Sequence, residues 1–307
     1  MSFDRIDAAA LAAQDPQALR AMRRAAVETG FAVVSNTRIT ASRVRDVLAV
    51  YEAFFERSPE EKSRIDMART GSNRGWGAPQ GEQVNRQANP DYKEVFDCGF
   101  QLARDHPLSQ HAVYAPNQWP QNPEGFEEVI SSYFSQACDV AMDVLRGLSQ
   151  SLGRPRDSFD AEFDPPMALL RGNFYPPRPA WAGRDDFGIA AHTDYGCLTL
   201  LATDGAPGLE VRLHDGTWRA LSAAPGEFII NFGEMMEVWT DGAVKATPHR
   251  VRGGAQKRLS IPLFFNPSYT TDISPPHQSV QILAGPYLSQ RFSETYLHLQ
   301  DADATKV

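Results

Sequence analysis

A mainly β chain with flanking helices is predicted, its core a jelly roll or double sheet preceded by an N-terminal helical region. From about residue 167 to 267 the apolar pattern alternates, and turn residues recur at Pro176-Pro177, Gly205, Pro207-Gly208, Asp215-Gly216 and Pro225-Gly226. Many short strands spaced in this way close into a sandwich or barrel whose mouth can hold a ligand. Ahead of that run the apolar period is helical, and 307 residues suffice for one full-sized core. The expected division is a helical and mixed region over 1–160, the jelly-roll core over 161–270, and a C-terminal segment over 271–307 that packs on the core.

Taken in order, Asp15 caps a helix opened by Pro16 and stopped at Gly30. Phe31 to Val34 is a short buried strand. A helix from about Thr40 carries Val44, Val47, Leu48, Tyr51, Phe54 and Phe55 at helical spacing, and Ser58, Pro59 and Glu61 start another. Thr70 to Pro90 lacks periodicity and is expected to be a long loop, from which Arg74, Trp76 and Arg86 could reach a substrate. Tyr92 to Phe100 is strand-like. The longest helix is expected to be capped by Asn122, opened by Pro123 and ended by Gly153. The strands that follow are expected at Leu169 to Tyr175, Cys197 to Ala202, Leu209 to Arg212, Trp218 to Ala220, Glu227 to Phe232, His249 to Arg252 and Arg258 to Phe265.

Composition narrows the function. Hydrophobic residues make up 42% and charged residues 22%, and the net charge is −8 with no block of basic residues. A nucleic-acid surface is therefore not expected, and a small-molecule partner is. The first residues lack the basic and apolar regions of a secretory signal, and no apolar stretch is long enough for a membrane span. Cys98, Cys138 and Cys197 have no metal-ligand or redox spacing, so a reducing cytoplasm is the expected compartment. Nothing in the composition fixes an oligomeric state.

The chemistry is concentrated in His192, Asp194, His249, Arg258 and Ser260. Two imidazoles and a carboxylate suit a redox metal with open coordination positions. Residues two apart on a strand share a face, so His192 and Asp194 could both reach one ion while Thr193 points away. His249 would supply the third ligand. The same spacing pairs Arg258 with Ser260, a guanidinium that forks onto a carboxylate beside a hydroxyl that adds a hydrogen bond. Singly, each piece has a plainer explanation: a surface turn, a structural histidine, an edge-strand cation. Together, in this order within one strand-rich stretch, they point to a catalytic metal.

These residues lie in His192-Thr193-Asp194, in Trp239-Thr240-Asp241-Gly242 leading to Thr247-Pro248-His249-Arg250-Val251, and in Arg258-Leu259-Ser260 before Phe264-Phe265-Asn266-Pro267. With Asn173-Phe174-Tyr175-Pro176, Lys93-Glu94-Val95-Phe96-Asp97 and Asn117-Gln118-Trp119-Pro120, the chain resembles, over nearly its whole length, the isopenicillin N synthase-like branch of the iron(II) and 2-oxoglutarate-dependent oxygenases. The resemblance implies a distorted double-stranded β-helix with iron at one end. It also implies that Tyr175 and Asn173 help Arg258 and Ser260 hold the cosubstrate. Asn231-Phe232-Gly233-Glu234 departs from the family, where aspartate commonly ends the motif.

The expected activity is hydroxylation of an aliphatic C–H bond of a small metabolite, with iron(II) as cofactor, 2-oxoglutarate and dioxygen consumed, and succinate and carbon dioxide released. Arg171, on the face of Asn173 and Tyr175, is expected to meet a substrate anion or else to be salt-bridged. Phe174, Arg74 and Phe265 are further substrate-contact expectations. Two other readings are a 2-oxoglutarate-independent oxidase or cyclase of the same fold, and a non-catalytic metal-dependent sensor.

Overall fold

The computed structural model describes residues 3–295 save 71, 82–90, 179, 181, 182, 184–186 and 276. Strand β1 (Asp4–Asp7) leads through α1 (Ala8–Ala12) and α2 (Pro16–Arg24) to β2 (Phe31–Ser35). The Asp15 carboxylate accepts from the N–H groups of Gln17 and Ala18, satisfying donors the first turn leaves free. The helix closes through a π turn onto Gly30 at φ 66°, where a Cβ would lie 2.3 Å from the Lys245 carbonyl oxygen. Only glycine fits there.

Thr40 caps α3 (Ala41–Phe55) and Ser58 caps α4 (Pro59–Lys62), each hydroxyl accepting from the N–H three residues on. Next come α5 (Met67–Thr70), β3 (Gly75–Gly77), β4 (Glu94–Gly99) and α6 (Phe126–Ser151). Strand β3 therefore interrupts the expected loop, pinned by its pairing with β4. Arg86 lies outside the described residues. Helix α6 begins at Phe126 behind Gly125 at φ 76°, because that left-handed residue breaks the run expected from Pro123. The core strands are β5 (Met167–Tyr175), β6 (Ile189–His192), β7 (Leu198–Thr203), β8 (Leu209–Arg212), β9 (Trp218–Ala220) and β10 (Phe228–Phe232). After α7 (Glu234–Trp239) come β11 (His249–Val251), β12 (Arg258–Asn266) and α8 (Ala284–Thr295).

Among the described residues the strands form two sheets, one ordered β1-β2-β10-β7-β12-β5-β4-β3 and a smaller one ordered β6-β11-β8-β9. Pairing is antiparallel except between β1 and β2. Strands from the N-terminal third thus extend the same sheet as the core strands.

Alternation gives the large sheet two different faces. Leu259, Ile261, Leu263 and Phe265 of β12 join Leu198, Leu200 and Ala202 of β7 and the apolar stripes of α3 and α6 in one core. Opposite, Val33, Ile229 and Tyr175 meet Leu209, Val211 and Val251 of the small sheet in a second core. This double-layered arrangement is the jelly roll expected from the sequence.

The motif around Asn117 is a clasp. Its amide accepts from Gly99 N–H at 2.7 Å and donates to Gly99 C=O at 3.0 Å, and Trp119 packs on Phe96 at 5.9 Å. Asn266 does likewise between Cys197 N–H (2.8 Å) and Met167 C=O (3.2 Å). The three cysteines are free. No described helix is long and apolar enough to cross a membrane.

Phe126 anchors the helical layer, with ring centroids 4.9 Å from Phe96, 5.3 Å from Phe54 and 5.6 Å from Tyr51. Phe126→Ala is expected to lower the unfolding free energy by about 3–5 kcal/mol through lost burial and the cavity left behind. Urea denaturation measures this, and a change below about 1 kcal/mol would mean the cluster is not the anchor.

Candidate metal centre

Register brings the two histidines together. His249, first residue of β11, pairs directly with His192, last residue of β6, and their rings lie 4.3 Å apart. Asp194 is not on that strand. It lies in the irregular segment between β6 and β7, so the path of that segment, and not strand alternation, brings its carboxylate back toward the ring of His192. Its Oδ1 stands 3.7 Å from Nε2 of His192 and 3.7 Å from Nε2 of His249. Two metal–ligand bonds of about 2.1 Å meeting at an open angle span such a separation.

Each ligand is held by its other heteroatom. His192 Nδ1 is 2.8 Å from Ala190 C=O, and His249 Nδ1 is 3.2 Å from Thr247 C=O. A carbonyl only accepts, so Nδ1 carries the proton in both rings and Nε2 presents its lone pair. Asp194 Oδ2 accepts from Thr199 Oγ1 at 2.5 Å and from Asn231 Nδ2 at 2.7 Å, which leaves Oδ1 for a metal. Burial alone would raise the Asp194 carboxyl, but the two imidazoles and these two hydrogen bonds outweigh it and hold it below the usual carboxylate range. Burial, helped by repulsion from His192, pushes His249 down to about 4, so this imidazole stays neutral near pH 7.

Behind the triad, Gly233 lets two chain segments touch, since a Cβ there would fall 2.4 Å from Gly196 C=O and 2.5 Å from Asp194 C=O. The next residue, Glu234, accepts from Thr193 Oγ1 at 2.5 Å through one oxygen. Its other oxygen takes Arg291 and, at 3.4 Å, the Tyr287 hydroxyl of α8. Glu234 therefore ties the residue between two ligands to the C-terminal helix.

A cavity of roughly 1030 Å³, counted out to its mouth, opens onto the triad. At one end β12 and β5 pair Arg258 with Tyr175 and Ser260 with Asn173. Arg258 is 5% exposed, and its Nε and Nη1 have no hydrogen-bond partner, nor does Asn173 Oδ1. The guanidinium lies 5.1 Å over the Tyr175 ring. Burial raises the Tyr175 hydroxyl despite Arg258 and Lys93 nearby, so it remains a phenol able to donate. Lys93 is paired with Asp91 at 2.9 Å.

The other expected residues divide. Arg171 lines the cavity, but Asp97 grips it through two bonds of 2.8 and 2.6 Å, the salt-bridged alternative. Phe174 turns to the helices and stacks on Phe55 at 5.4 Å. Phe265 also turns away, onto Phe163 at 4.8 Å. Its neighbour Phe264 faces the cavity instead, with Pro262 and Asn266. That was legible: Phe264 shares the parity of Arg258 and Ser260, and Phe265 does not. Arg74 is buried, donating to the carbonyls of Asn73 (2.7 Å) and Val113 (2.6 Å) beside a second cavity. Thr199 and Asn231 were missed; each is a polar residue at an inward position of an apolar strand, which is the signal that could have found them.

Two family models match the chain. Residues 3–122 match the "non-haem dioxygenase in morphine synthesis N-terminal" model, and residues 166–267 match the "2OG-Fe(II) oxygenase superfamily" model. A homoarginine-6-hydroxylase of Glycine max is 32% identical over 86% of this chain and 82% of its own. A 2-oxoglutarate-Fe(II) type oxidoreductase of Aspergillus fumigatus is 31% identical over 83% of this chain and 79% of its own. Among solved structures, a Neurospora crassa protein in complex with alpha-KG superposes with a TM-score of 0.83 at 25% identity, covering 95% of this chain and 96% of that one. A 2OG-Fe(II) oxygenase family protein from Caulobacter crescentus gives a TM-score of 0.83 at 27% identity over 95% and 99%.

Two outcomes follow from the geometry. Asn231→Leu removes a hydrogen bond to the carboxylate without emptying its space, and is expected to weaken metal binding about 10–100-fold with the fold retained, as a chelator competition would read. Separately, His249 has a pKa of about 4 in the fold against 6.5 ordinarily, so between these values the unfolded chain binds more protons. The metal-free protein should lose stability as pH falls across that window, with Asp194 adding to the loss below it. Urea midpoints should fall more steeply in the wild type than in His249→Asn; equal slopes would refute the assignment.

Proposed function

The chain belongs to the 2OG-Fe(II) oxygenase superfamily, and from that premise we propose that it hydroxylates a C–H bond of a small metabolite at His192, Asp194 and His249. The donor set fits iron(II): two imidazoles whose Nδ1 atoms face backbone carbonyls and one oxygen of a carboxylate, all at the wall of the cavity. Bound iron(II) supplies the redox chemistry by which substrate, dioxygen and 2-oxoglutarate become hydroxylated product, succinate and carbon dioxide.

The observation that carries the cosubstrate assignment is Arg258. A buried guanidinium with two unmet donors is costly unless an anion completes it. A dicarboxylate that chelates the metal through its keto-acid end can offer its distal carboxylate to that fork, with the hydroxyls of Ser260 and Tyr175 as further donors. Asp194 would offset part of the charge of a bound metal, and the distal carboxylate of the acid would offset Arg258. An oxidase or sensor that takes no such acid leaves the guanidinium uncompensated.

The remaining residues bind and exclude. Leu201, Leu209, Val251 and Ile189 form the apolar wall that keeps water from the reacting end. Thr199 and Asn231 hold Asp194 so that Oδ1 stays turned to the metal. The similarity to homoarginine-6-hydroxylases supports a small-molecule substrate.

Anaerobic enzyme given iron(II) and 2-oxoglutarate is expected to show the charge-transfer band of a chelated keto acid and to release succinate once oxygen and substrate are admitted. In Arg258→Met the 2-oxoglutarate concentration for half-saturation should rise by about tenfold or more, since a charge-assisted pair is lost. Half-saturation unchanged by that substitution would remove the proposed clamp.

A further inference from the structure

Beyond the partition formed by Leu169, Asn266, Leu288 and Phe292 lies a second chamber of about 590 Å³ that shares those four residues with the metal cavity. Its walls combine apolar Ala112, Val113, Met167 and Ala168 with polar Ser72, Ser289 and Arg74, whose guanidinium already donates to the carbonyls of Asn73 and Val113, and with the side chain of Asn73. Asn73 is 7% exposed and lines this chamber, yet its Oδ1 has no hydrogen-bond partner. Its backbone carbonyl is occupied by Arg74, so the local chain is already satisfied without the side-chain amide. The partition residue Asn266 differs, since both ends of its amide are engaged by the backbone. A buried amide oxygen left without a donor is a net cost to the fold, and at a cavity wall it is a place that a ligand donor can complete.

Resting on the function proposed above, we propose that this chamber receives the end of the substrate remote from the reacting carbon, and that Asn73 recognises there a neutral edge carrying an N–H or O–H donor. The best complement to a primary amide is another amide in the cis arrangement, which gives a donor to Oδ1 and an acceptor to Nδ2. A carboxamide or lactam has that edge, and the apolar walls suit the carbon skeleton behind it. The substrate class is accordingly an elongated, largely apolar molecule that is functionalised at the far end by an uncharged donor–acceptor group. Phe292 and Leu288, on helix α8, would then sort substrates by width where they pass between the chambers.

The test uses the full chain loaded anaerobically with iron(II) and 2-oxoglutarate, titrated calorimetrically with 2-piperidone and with N-methyl-2-piperidone, in which a methyl group replaces the donor hydrogen; the Asn73→Leu comparison separates the lost donor from the added bulk. Wild type is expected to bind the first roughly three- to tenfold more tightly. In Asn73→Leu, similar in volume and without a bond to lose, that preference should vanish while the melting temperature is no lower than the wild type's. Val113→Phe, which fills the chamber from another wall, should weaken both lactams and provides an arm independent of Asn73. Equal binding of the two lactams to wild type, or a preference that survives Asn73→Leu, overturns the proposal. The same loaded samples report the keto-acid charge-transfer band, so its absence would defeat the oxygenase reading and leave the lactam comparison to be judged by itself.

Discussion

The strap on the Asp194 carboxylate is the interaction on which the rest of the site depends. Both histidines belong to the small sheet, where register alone sets them side by side. The carboxylate comes from an irregular segment, and such a segment does not by itself fix an oxygen to within tenths of an ångström. Thr199 on β7 and Asn231 on β10 do so, by taking Oδ2 from the large sheet. A metal at this triad would consequently be bonded to the small sheet through both histidines and tied to the large sheet through the hydrogen bonds on Asp194, so its geometry would report how the two layers meet.

The same segment is held from behind. A glutamate at position 234 has the reach to use its two oxygens in different directions, one to Thr193 and one to α8. Gly233 permits this by allowing the backbone of the following helix to lie against that of the ligand segment. A shorter carboxylate could satisfy the segment but would reach less far toward the helix. The glutamate at 234, where the family commonly has aspartate, is thus the connection between the C-terminal helix, which lines the cavity through Leu288 and Phe292, and the segment that carries His192 and Asp194.

Much of this was legible because strand alternation and turn chemistry are local. Trp218–Ala220 and Leu209–Arg212 were bounded correctly, and Asp15, Thr40 and Ser58 cap helices as their side chains predict. What escaped depends on contacts distant in the chain. Strand β1 exists because β2 offers it a parallel edge, and β6 is a short strand whose partner lies some sixty residues later. Helix α7 is brief, and its place is set by Gly233 against the ligand segment. Phe174 and Phe265 were expected at the cavity by proximity to motifs, where parity within their own strands assigns them to the helical face.

Charge pairing divides the cavity into two kinds of recognition. Lys93 is neutralised by Asp91 and Arg171 by Asp97, both as buried pairs whose carboxylates lie within hydrogen-bond reach. Arg258 alone among these three wall cations has no carboxylate partner among the described residues. A buried cation already paired gains little from a second anion, whereas an unpaired one gains the whole desolvated interaction. On the proposed reading an incoming dicarboxylate would therefore be drawn to the Arg258 end in preference to the Arg171 end, although both guanidinium groups line the same space. Paired charges would not attract a competing acid to the substrate end, so selection there would fall to shape and to neutral hydrogen bonds, for which Phe264 and Phe292 in this cavity and Asn73 in the adjoining chamber are placed.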